Sequence, residues 1–210
     1  MSETESERIA GIVLAAGASS RMGRNKMLLA LDGETLVRRA VSVALAAGLA
    51  PVVVVVGFEE ERVRRELEGL ECQASTNPEY TGPTSGSLHV GLRAITPDVE
   101  AAAVILADMV HVSVDMLRDL VAATKVSTAP LFVSRYRDVT APPLLFRRAL
   151  FPELLDWHGE GCGKAVVRAH AHEAVYLDWP PGALEDVDTP EDFVRAGGRP
   201  PRNESDESLA

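Results

Sequence analysis

The chain has 210 residues and a formal net charge of −10; 46% of its residues are hydrophobic and 5% are aromatic. This length and apolar content predict one α/β domain with a core of Val, Leu and Ala. The acidic balance argues against a general nucleic-acid binder, which needs a basic face. Two widely separated cysteines, Cys72 and Cys162, exclude a zinc site or disulfide framework built from cysteines alone.

Strand-like and helix-like patterns alternate along the chain. Apolar runs predict strands over 8–14, 51–56, 72–75 and 101–108, and helical spacing predicts helices over 35–47, 59–68, 84–95 and 113–123. This alternation predicts a single-domain, doubly wound, mostly parallel sheet. Five prolines interrupt the second half and predict a mixed, Pro-rich arrangement there: Pro142, Pro143, Pro152, Pro180 and Pro181. We assign the domain to 8–197, and predict disorder in the acidic segment 1–7 and the polar tail 198–210.

The segment "IVLAAGASSRMGRNKML" (12–28) suggests a site for a polyphosphate. It follows the first strand, where small residues allow backbone N–H groups to approach phosphate oxygens. Three cations, Arg21, Arg24 and Lys26, follow within six positions. The segment lacks the second glycine of the dinucleotide fingerprint, where Ser19 stands, and it is not a Walker loop. An ordinary βα turn is the alternative.

Four segments resemble, in order, the motifs of the MobA-like nucleotidyltransferases. They are "LAAGASSRMGRNK", "NPEYTGPTSGSLHVGL", "VILADMVHVSVDMLRDLV" and "LEDVDTPEDF", and they extend over 12–193. Ala16, in "LAAG", is more similar to the molybdenum cofactor cytidylyltransferases than to the guanylyltransferases. The resemblance implies a Rossmann-like, GT-A-like fold and Mg²⁺ as cofactor. It also implies transfer of CMP from CTP to molybdopterin, with a molybdenum hydroxylase as eventual recipient of the product.

The resemblance also implies roles for individual residues. Arg21, Lys26 and Asp108 would be catalytic, and Asp108 and Asp188 would hold the metal. The implied nucleotide-binding residues are Leu14, Ala15, Ala16, Gly17, Ser19, Arg21, Gly23, Lys26, Asn77, Ser85, Ser87 and Asp108.

Structural roles remain open for some of these residues. Asp188 or Thr189 could cap a helix that begins at "DTPED", and Asp186 competes with Asp188 for the metal. Asn77, before a proline, could simply form a turn, and Ser87 could cap its own helix.

Three departures from the family pattern are expected near the acceptor. Val110 stands where a proline is usual, "APP" (141–143) replaces a Gly-His/Asn-Pro segment, and "GEGCGK" (159–164) ends in Lys164 instead of arginine. Lysine keeps the charge but loses the bidentate fork. Pro143 and Lys164 are therefore the predicted acceptor-binding residues. A sugar or alcohol phosphate as acceptor, or a non-catalytic cofactor carrier, are the alternatives.

The remaining predictions concern histidines, location and assembly. The five histidines have no metal-ligand spacing and are predicted to lie on the surface: His89, His111, His158, His170 and His172. The polar "MSETESER" is unlike a signal peptide, and the longest apolar stretch contains glycine and proline. We therefore expect a cytoplasmic monomer without a membrane segment.

Overall fold

A seven-stranded sheet with helices on both faces organises residues 7–199, the part of the chain that this computed structural model describes. The strands are β1 (Ile9–Leu14), β2 (Ala30–Leu31), β3 (Glu34–Thr35), β4 (Val52–Val56), β5 (Gln73–Thr76), β6 (Ala101–Leu106), β7 (Leu131–Tyr136), β8 (Val139–Arg147) and β9 (Val175–Asp178). The helices are α1 (Leu36–Ala46), α2 (Glu60–Glu66), α3 (Thr84–Ala94), α4 (Val114–Val126), α5 (Phe151–Asp156), α6 (Cys162–Ala169) and α7 (Pro190–Arg195).

The main sheet has the strand order β5-β4-β1-β6-β8-β7-β9, and β2 and β3 form a separate small hairpin. Neighbouring strands are parallel from β5 to β6, and β7 and β9 are parallel as well. Strand β8 is antiparallel to both its neighbours. The predicted mostly parallel, doubly wound α/β sheet is therefore confirmed, and the mixed second half arises from β8.

Alternation of side chains along the central strands builds a core on each face of the sheet. Val52, Val54 and Val56 pack with residues of α1, α2 and α4. Val53 and Val55 point to the opposite face, where α3, α5 and α6 pack. A strand covered on both faces is apolar at every position, which explains the uninterrupted valine run of β4.

The prolines of the second half do not prevent regular structure there. Strand β8 passes through Pro142 and Pro143, and its pairing with β6 begins at Leu144. Pairing with β7 shifts register between Val133 and Arg135. Proline has no N–H for a sheet ladder, so the ladder to β6 starts beyond both prolines.

The prediction that all histidines lie on the surface is wrong for His89. This side chain is buried in α3, and its Nε2 lies 2.9 Å from the carbonyl oxygen of Leu154. His170 is partly buried, between the carboxylates of Glu153 and Glu173. His111, His158 and His172 are exposed as predicted.

Residues 1–6 and 200–210, where we predict disorder, lie outside the described residues. Three residues of the predicted disordered segments are described, Glu7, Gly198 and Arg199, and the first two make contacts. Glu7 forms an ion pair with Arg147, and the Gly198 N–H donates to the Phe193 carbonyl at 2.9 Å. Within 7–199, none of the helices is long and apolar enough to cross a membrane.

Candidate active site

A cavity of about 320 Å³ opens beyond the carboxyl ends of β1 and β6. Strand β1 lies between β4 and β6, and the chain leaves it toward β4 through α1. Ligands in open α/β sheets bind in the crevice at such a switch point. Four separate segments line it: the loop after β1, residues 80–87, the turn after β6 and the segment before α7.

The loop after β1 presents backbone donors to this cavity. Gly17 and Ser20 line the cavity, and their N–H groups have no acceptor within residues 7–199. Ser19 has a left-handed φ of 53°, and its Oγ accepts the Lys26 N–H at 3.1 Å. This hydrogen bond joins the two ends of the loop segment 19–26. The free N–H groups form the kind of nest that binds anions.

The loop's lysine joins two carboxylates from distant parts of the chain. Lys26 Nζ lies 2.6 Å from Asp108 Oδ2 and 2.7 Å from Asp188 Oδ1. Arg21 reaches the other oxygen of Asp188 at 2.6 Å. The Lys26 side chain is 10% exposed, whereas that of Arg21 is 68% exposed. Lys26 is thus enclosed at the floor of the cavity, and Arg21 is exposed to solvent at its rim.

Burial and charge act in opposite directions on these ionisable groups. Burial lowers the pKa of Lys26, but the Asp108 and Asp188 carboxylates raise it more, and the pKa lies above its ordinary value. Burial raises the pKa of Asp188, but Lys26 and Arg21 bring it below its ordinary value. The pKa of Asp186 is raised by burial and by the neighbouring Asp188 and Asp108 carboxylates. The cluster therefore holds Lys26 and Asp188 in their charged forms.

The helix cap before α7 belongs to Thr189, and not to Asp188. Thr189 Oγ1 accepts the Asp192 N–H at 3.2 Å, and Asp192 Oδ2 accepts the Thr189 N–H at 2.8 Å, which completes a capping box. Asp192 also accepts the Asp188 N–H at 3.2 Å. The box therefore holds the backbone of Asp188 and leaves its carboxylate directed to the cavity.

Two carboxylates suit a Mg²⁺ ion that also takes substrate oxygens. Asp108 Oδ1 is buried without a hydrogen-bond partner, and an oxygen in that situation is a natural metal ligand. Residues 7–199 contain no cluster of three or more His, Cys, Asp or Glu side chains suited to a metal. Mg²⁺ is commonly held by one or two carboxylates together with substrate phosphates, so the residues present fit the ion.

Asn77 and Ser87 form a buried pair beside the cavity. Asn77 Nδ2 donates to Ser87 Oγ at 3.0 Å, and Asn77 Oδ1 accepts the Glu79 N–H at 3.0 Å. Helix α3 begins at Thr84, with Pro83 at its N-cap position, so Ser87 does not cap it. Ser87 lines the cavity and Asn77 lies behind it. Asn77 both closes a turn and fixes the orientation of Ser87.

The structure gathers most, but not all, of the predicted residues around the cavity. Leu14, Ala15, Ala16, Gly17, Ser19, Arg21, Lys26, Ser87, Asp108 and Asp188 line it. Gly23 and Arg24 line a different depression, on the side of Arg62. Gly23 has a φ of +66°, so a turn that favours glycine explains this residue without a ligand.

Two of the three departures from the family pattern lie together and the third lies apart: Pro142 and Lys164 line one cavity, and Val110 does not. Val110 is buried in a small cluster with Leu36 and Phe193. Pro143 is buried, and its carbonyl accepts the Ser134 hydroxyl at 2.7 Å. The proline that faces open space is Pro142.

A second cavity, of about 270 Å³, adjoins the first. Leu14, Thr84 and Leu106 line both. Lys164 lies at the second cavity, as does Ser85, whose Oγ accepts the Gly159 N–H at 3.3 Å. Ser85, predicted to bind nucleotide, is thus engaged by the loop before α6.

Sequence reasoning missed several residues of the first cavity, among them Ser20, Met27, Tyr80, Gly82 and Thr84. Gly57 also matters: a Cβ there would lie 2.5 Å from the Tyr80 Cβ and 2.9 Å from the Ala16 carbonyl oxygen. Only glycine permits this approach of the β4 turn to the loop. The position of Gly57 directly after the valine run was visible in the sequence. Its contact with Tyr80 was not, because Tyr80 lies 23 residues further along the chain.

This combination of fold and site is that of a nucleotide-binding transferase, and comparison with known proteins identifies the group. The profile of the MobA-like NTP transferase domain matches residues 11–175. The chain therefore belongs to the MobA-like NTP transferase family and is a nucleotidyltransferase, an enzyme of the transferase type.

Named relatives and solved structures are similar to this chain over most of its length. Purine catabolism protein PucB of Bacillus subtilis is 31% identical over 202 residues, which cover 87% of this chain and 93% of PucB. The molybdenum cofactor guanylyltransferase of Rhodobacter capsulatus is 28% identical, covering 91% of this chain and 96% of that protein. The crystal structure of Rv0371c from Mycobacterium tuberculosis H37Rv superposes with a TM-score of 0.81 at 27% identity, over 90% of this chain and 97% of that one. Rv0371c has also been crystallised with manganese.

Proposed function

We propose that this enzyme transfers a nucleoside monophosphate, CMP from CTP, to a phosphorylated acceptor and releases pyrophosphate. The observation that carries the proposal is the convergence of Arg21, Lys26, Asp108 and Asp188 on one cavity at the sheet's switch point. Two cations and two carboxylates there match the needs of a triphosphate with its divalent cation.

The proposed step is one displacement at phosphorus. An oxygen of the acceptor phosphate attacks the α-phosphorus of CTP, and the bond from that phosphorus to the oxygen bridging the β-phosphate breaks. Pyrophosphate leaves with the bonding electrons, and the product carries a new P–O–P linkage. The acceptor phosphate is ionised at neutral pH, so positioning and charge neutralisation supply the catalysis.

Each part of the cavity has a place in this proposal. The free N–H groups of Gly17 and Ser20 would bind phosphate oxygens, and Arg21 and Lys26 would neutralise the triphosphate and the departing pyrophosphate. Ser87, oriented by Asn77, would contact the nucleoside. Gly23 and Ser85, although predicted, have no such place because they lie elsewhere.

Asp108 and Asp188 would hold Mg²⁺, which when bound neutralises charge on the phosphates. The manganese complex of Rv0371c supports a divalent cation in this family fold. We propose Mg²⁺ because oxygen ligands and substrate phosphates suit it.

Two classes of acceptor are compatible with the proposed nucleotide site in the first cavity. Molybdopterin, with a molybdenum hydroxylase receiving the product, is supported by the motifs and by the name of the Rhodobacter relative. An alcohol phosphate is supported by the chemistry of the second cavity. We propose action as a monomer in either case.

The first test is calorimetric titration with CTP, GTP, ATP and UTP, with and without Mg²⁺. Selective, Mg²⁺-dependent binding of CTP is expected; preference for another triphosphate would overturn the choice of donor. Absence of binding by all four would favour a non-catalytic carrier.

A second test uses a variant of the carboxylate pair. The Asp108→Asn variant should lose turnover by orders of magnitude with its fold kept. Asp115→Asn, at a side chain 89% exposed, is the matched control.

A further inference from the structure

The second cavity differs from the first in its chemistry. Its walls are formed mostly by aliphatic and aromatic side chains from four elements: Leu14, Leu88, Val104, Leu106, Pro142, Leu144 and Phe146. Val104 and Leu144 are directly opposite each other on β6 and β8. The floor is therefore part of the packed sheet and is preformed.

Polar groups are confined to one side of this cavity. Glu160 and Lys164 are exposed at its rim, and Thr84 Oγ1 lies 3.5 Å from Glu160 Oε2. The Ser85 hydroxyl oxygen already accepts the Gly159 N–H. The Lys164 ammonium has no hydrogen bond or ion pair within residues 7–199. One cation is thus available for an anionic group, while the walls offer almost no partners for hydroxyl groups.

The two cavities adjoin, and Leu14, Thr84 and Leu106 line both of them. A molecule that fills the second cavity can therefore place a phosphate at the first. Its phosphate would lie toward Lys26 and Lys164, and its body would lie against Leu88, Leu144 and Phe146.

We propose that the second cavity binds the body of the acceptor, and that this body is an apolar ring or hydrocarbon group carried on an alcohol phosphate. The inference rests on the proposed nucleotidyl transfer and chooses between its two acceptor classes. The product is then a cytidine diphosphate ester of that alcohol, with pyrophosphate as the second product.

Desolvation supplies the physical reason. A sugar or a pterin carries several hydroxyl or ring N–H groups, and burying each without a partner is costly. An apolar body gains by leaving water, and each buried methylene corresponds to about a fourfold gain in affinity. A cavity of about 150 Å³ holds benzene, so 270 Å³ accommodates a body of about ten carbons.

The test uses the full-length protein with CTP and Mg²⁺ and a set of phosphate monoesters. The apolar probes are butyl, hexyl, phenyl and 1-naphthyl phosphate; the polar ones are glycerol 3-phosphate, ribose 5-phosphate and 6-hydroxymethylpterin phosphate. Pyrophosphate release and product mass are measured, and binding is followed separately by calorimetry. We expect kcat/KM to rise about fourfold per methylene from butyl to hexyl phosphate, with 1-naphthyl phosphate among the best probes.

A variant that fills the second cavity tests whether the acceptor binds there. Gly163 lies at this cavity, and a Cβ added to it would be in van der Waals contact with Leu144 Cδ1 at 3.4 Å and Phe146 Cζ at 3.8 Å. Gly163→Leu should lower kcat/KM for 1-naphthyl phosphate at least tenfold and leave CTP binding unchanged. Gly163→Ala is the matched control and should lose less than threefold.

The outcomes separate this inference from the function on which it rests. If none of the four nucleoside triphosphates binds, the proposed nucleotidyl transfer fails; if another one binds in place of CTP, only the choice of donor fails and the acceptors are tested with that nucleotide. If CTP binds and the pterin or sugar phosphates are better acceptors than 1-naphthyl phosphate, the apolar acceptor is overturned. Unchanged use of 1-naphthyl phosphate by a folded Gly163→Leu variant would place the acceptor elsewhere. Should that variant not fold, Leu144→Ala provides the same test, because enlarging the cavity should shift the preference toward longer alkyl phosphates.

Discussion

Lys26 Nζ lies 2.6 Å from Asp108 Oδ2, and both side chains are largely enclosed. The same ammonium group lies 2.7 Å from Asp188 Oδ1. A cation between two carboxylates offsets their mutual repulsion in a partly dehydrated site. The residue that would bind phosphate in the occupied enzyme therefore also stabilises the empty cleft.

The first prediction concerns this double role. Lys26→Met should destabilise the protein in EDTA by about 1–3 kcal/mol, because two enclosed carboxylates lose their common partner. Addition of Mg²⁺ should raise the melting temperature of this variant more than that of the wild type, where the lysine competes for the same oxygens. Thermal denaturation at increasing Mg²⁺ concentration measures both. Equal Mg²⁺ responses would show that the ion does not bind to these carboxylates.

The second prediction separates the cap from the carboxylate before α7. Thr189→Ala breaks the capping box and should cost about 1 kcal/mol, a fall in melting temperature of about 2–4 °C for a domain of this size. Asp188→Asn keeps the cap and should instead abolish most Mg²⁺-dependent turnover. Thermal melts and pyrophosphate release are measured for both variants. A loss of about 1 kcal/mol in Asp188→Asn, the value expected for a broken cap, with turnover retained would reverse the assignment.

The third prediction uses two glycines of α3. A Cβ at Gly91 would lie 2.4 Å from Ile12 Cγ2, inside the packed contact between α3 and β1. Gly91→Ala should therefore destabilise the protein by about 1–3 kcal/mol. At Gly86 the Cβ would meet only Asn77 Nδ2 at 3.7 Å, so Gly86→Ala should be neutral or stabilise by up to about 1 kcal/mol through helix propensity. Urea denaturation of both variants tests the contrast, and similar values would contradict it.

The fourth prediction concerns alkaline pH. Burial raises the pKa of Tyr136 to about 12, and its hydroxyl donates to the Pro142 carbonyl at 2.8 Å. The unfolded chain loses this proton near its ordinary pKa of 10.0, so stability falls as pH rises from about 10 to 12. The loss is about 2–3 kcal/mol. Urea denaturation of wild type and Tyr136→Phe between pH 9 and pH 12 should show a shallower decline in the variant; parallel declines would exclude Tyr136 as the cause.

The sequence by itself determined the sheet and its ligand-binding loop. Uninterrupted apolar runs predicted β1, β4 and β6 because strands covered on both faces need an apolar residue at every position. The small residues and cations of 15–26 are adjacent in the chain, so their chemistry could be interpreted locally. The four ordered motifs added the family, which the domain match confirmed.

Tertiary structure alone decided how distant groups meet. That Thr189 and not Asp188 caps α7 depended on the contacts of Thr189, and the Asp188 carboxylate meets Lys26, 162 positions away in the chain. The burial of His89 followed from the packing of α3 against α5. Val110 packs in a small cluster with Leu36, whereas Pro142 lines the second cavity, although both segments were expected near the acceptor. Periodicity reports which face of an element is apolar, but it carries no information on which elements meet, and the second cavity exists only because four of them do.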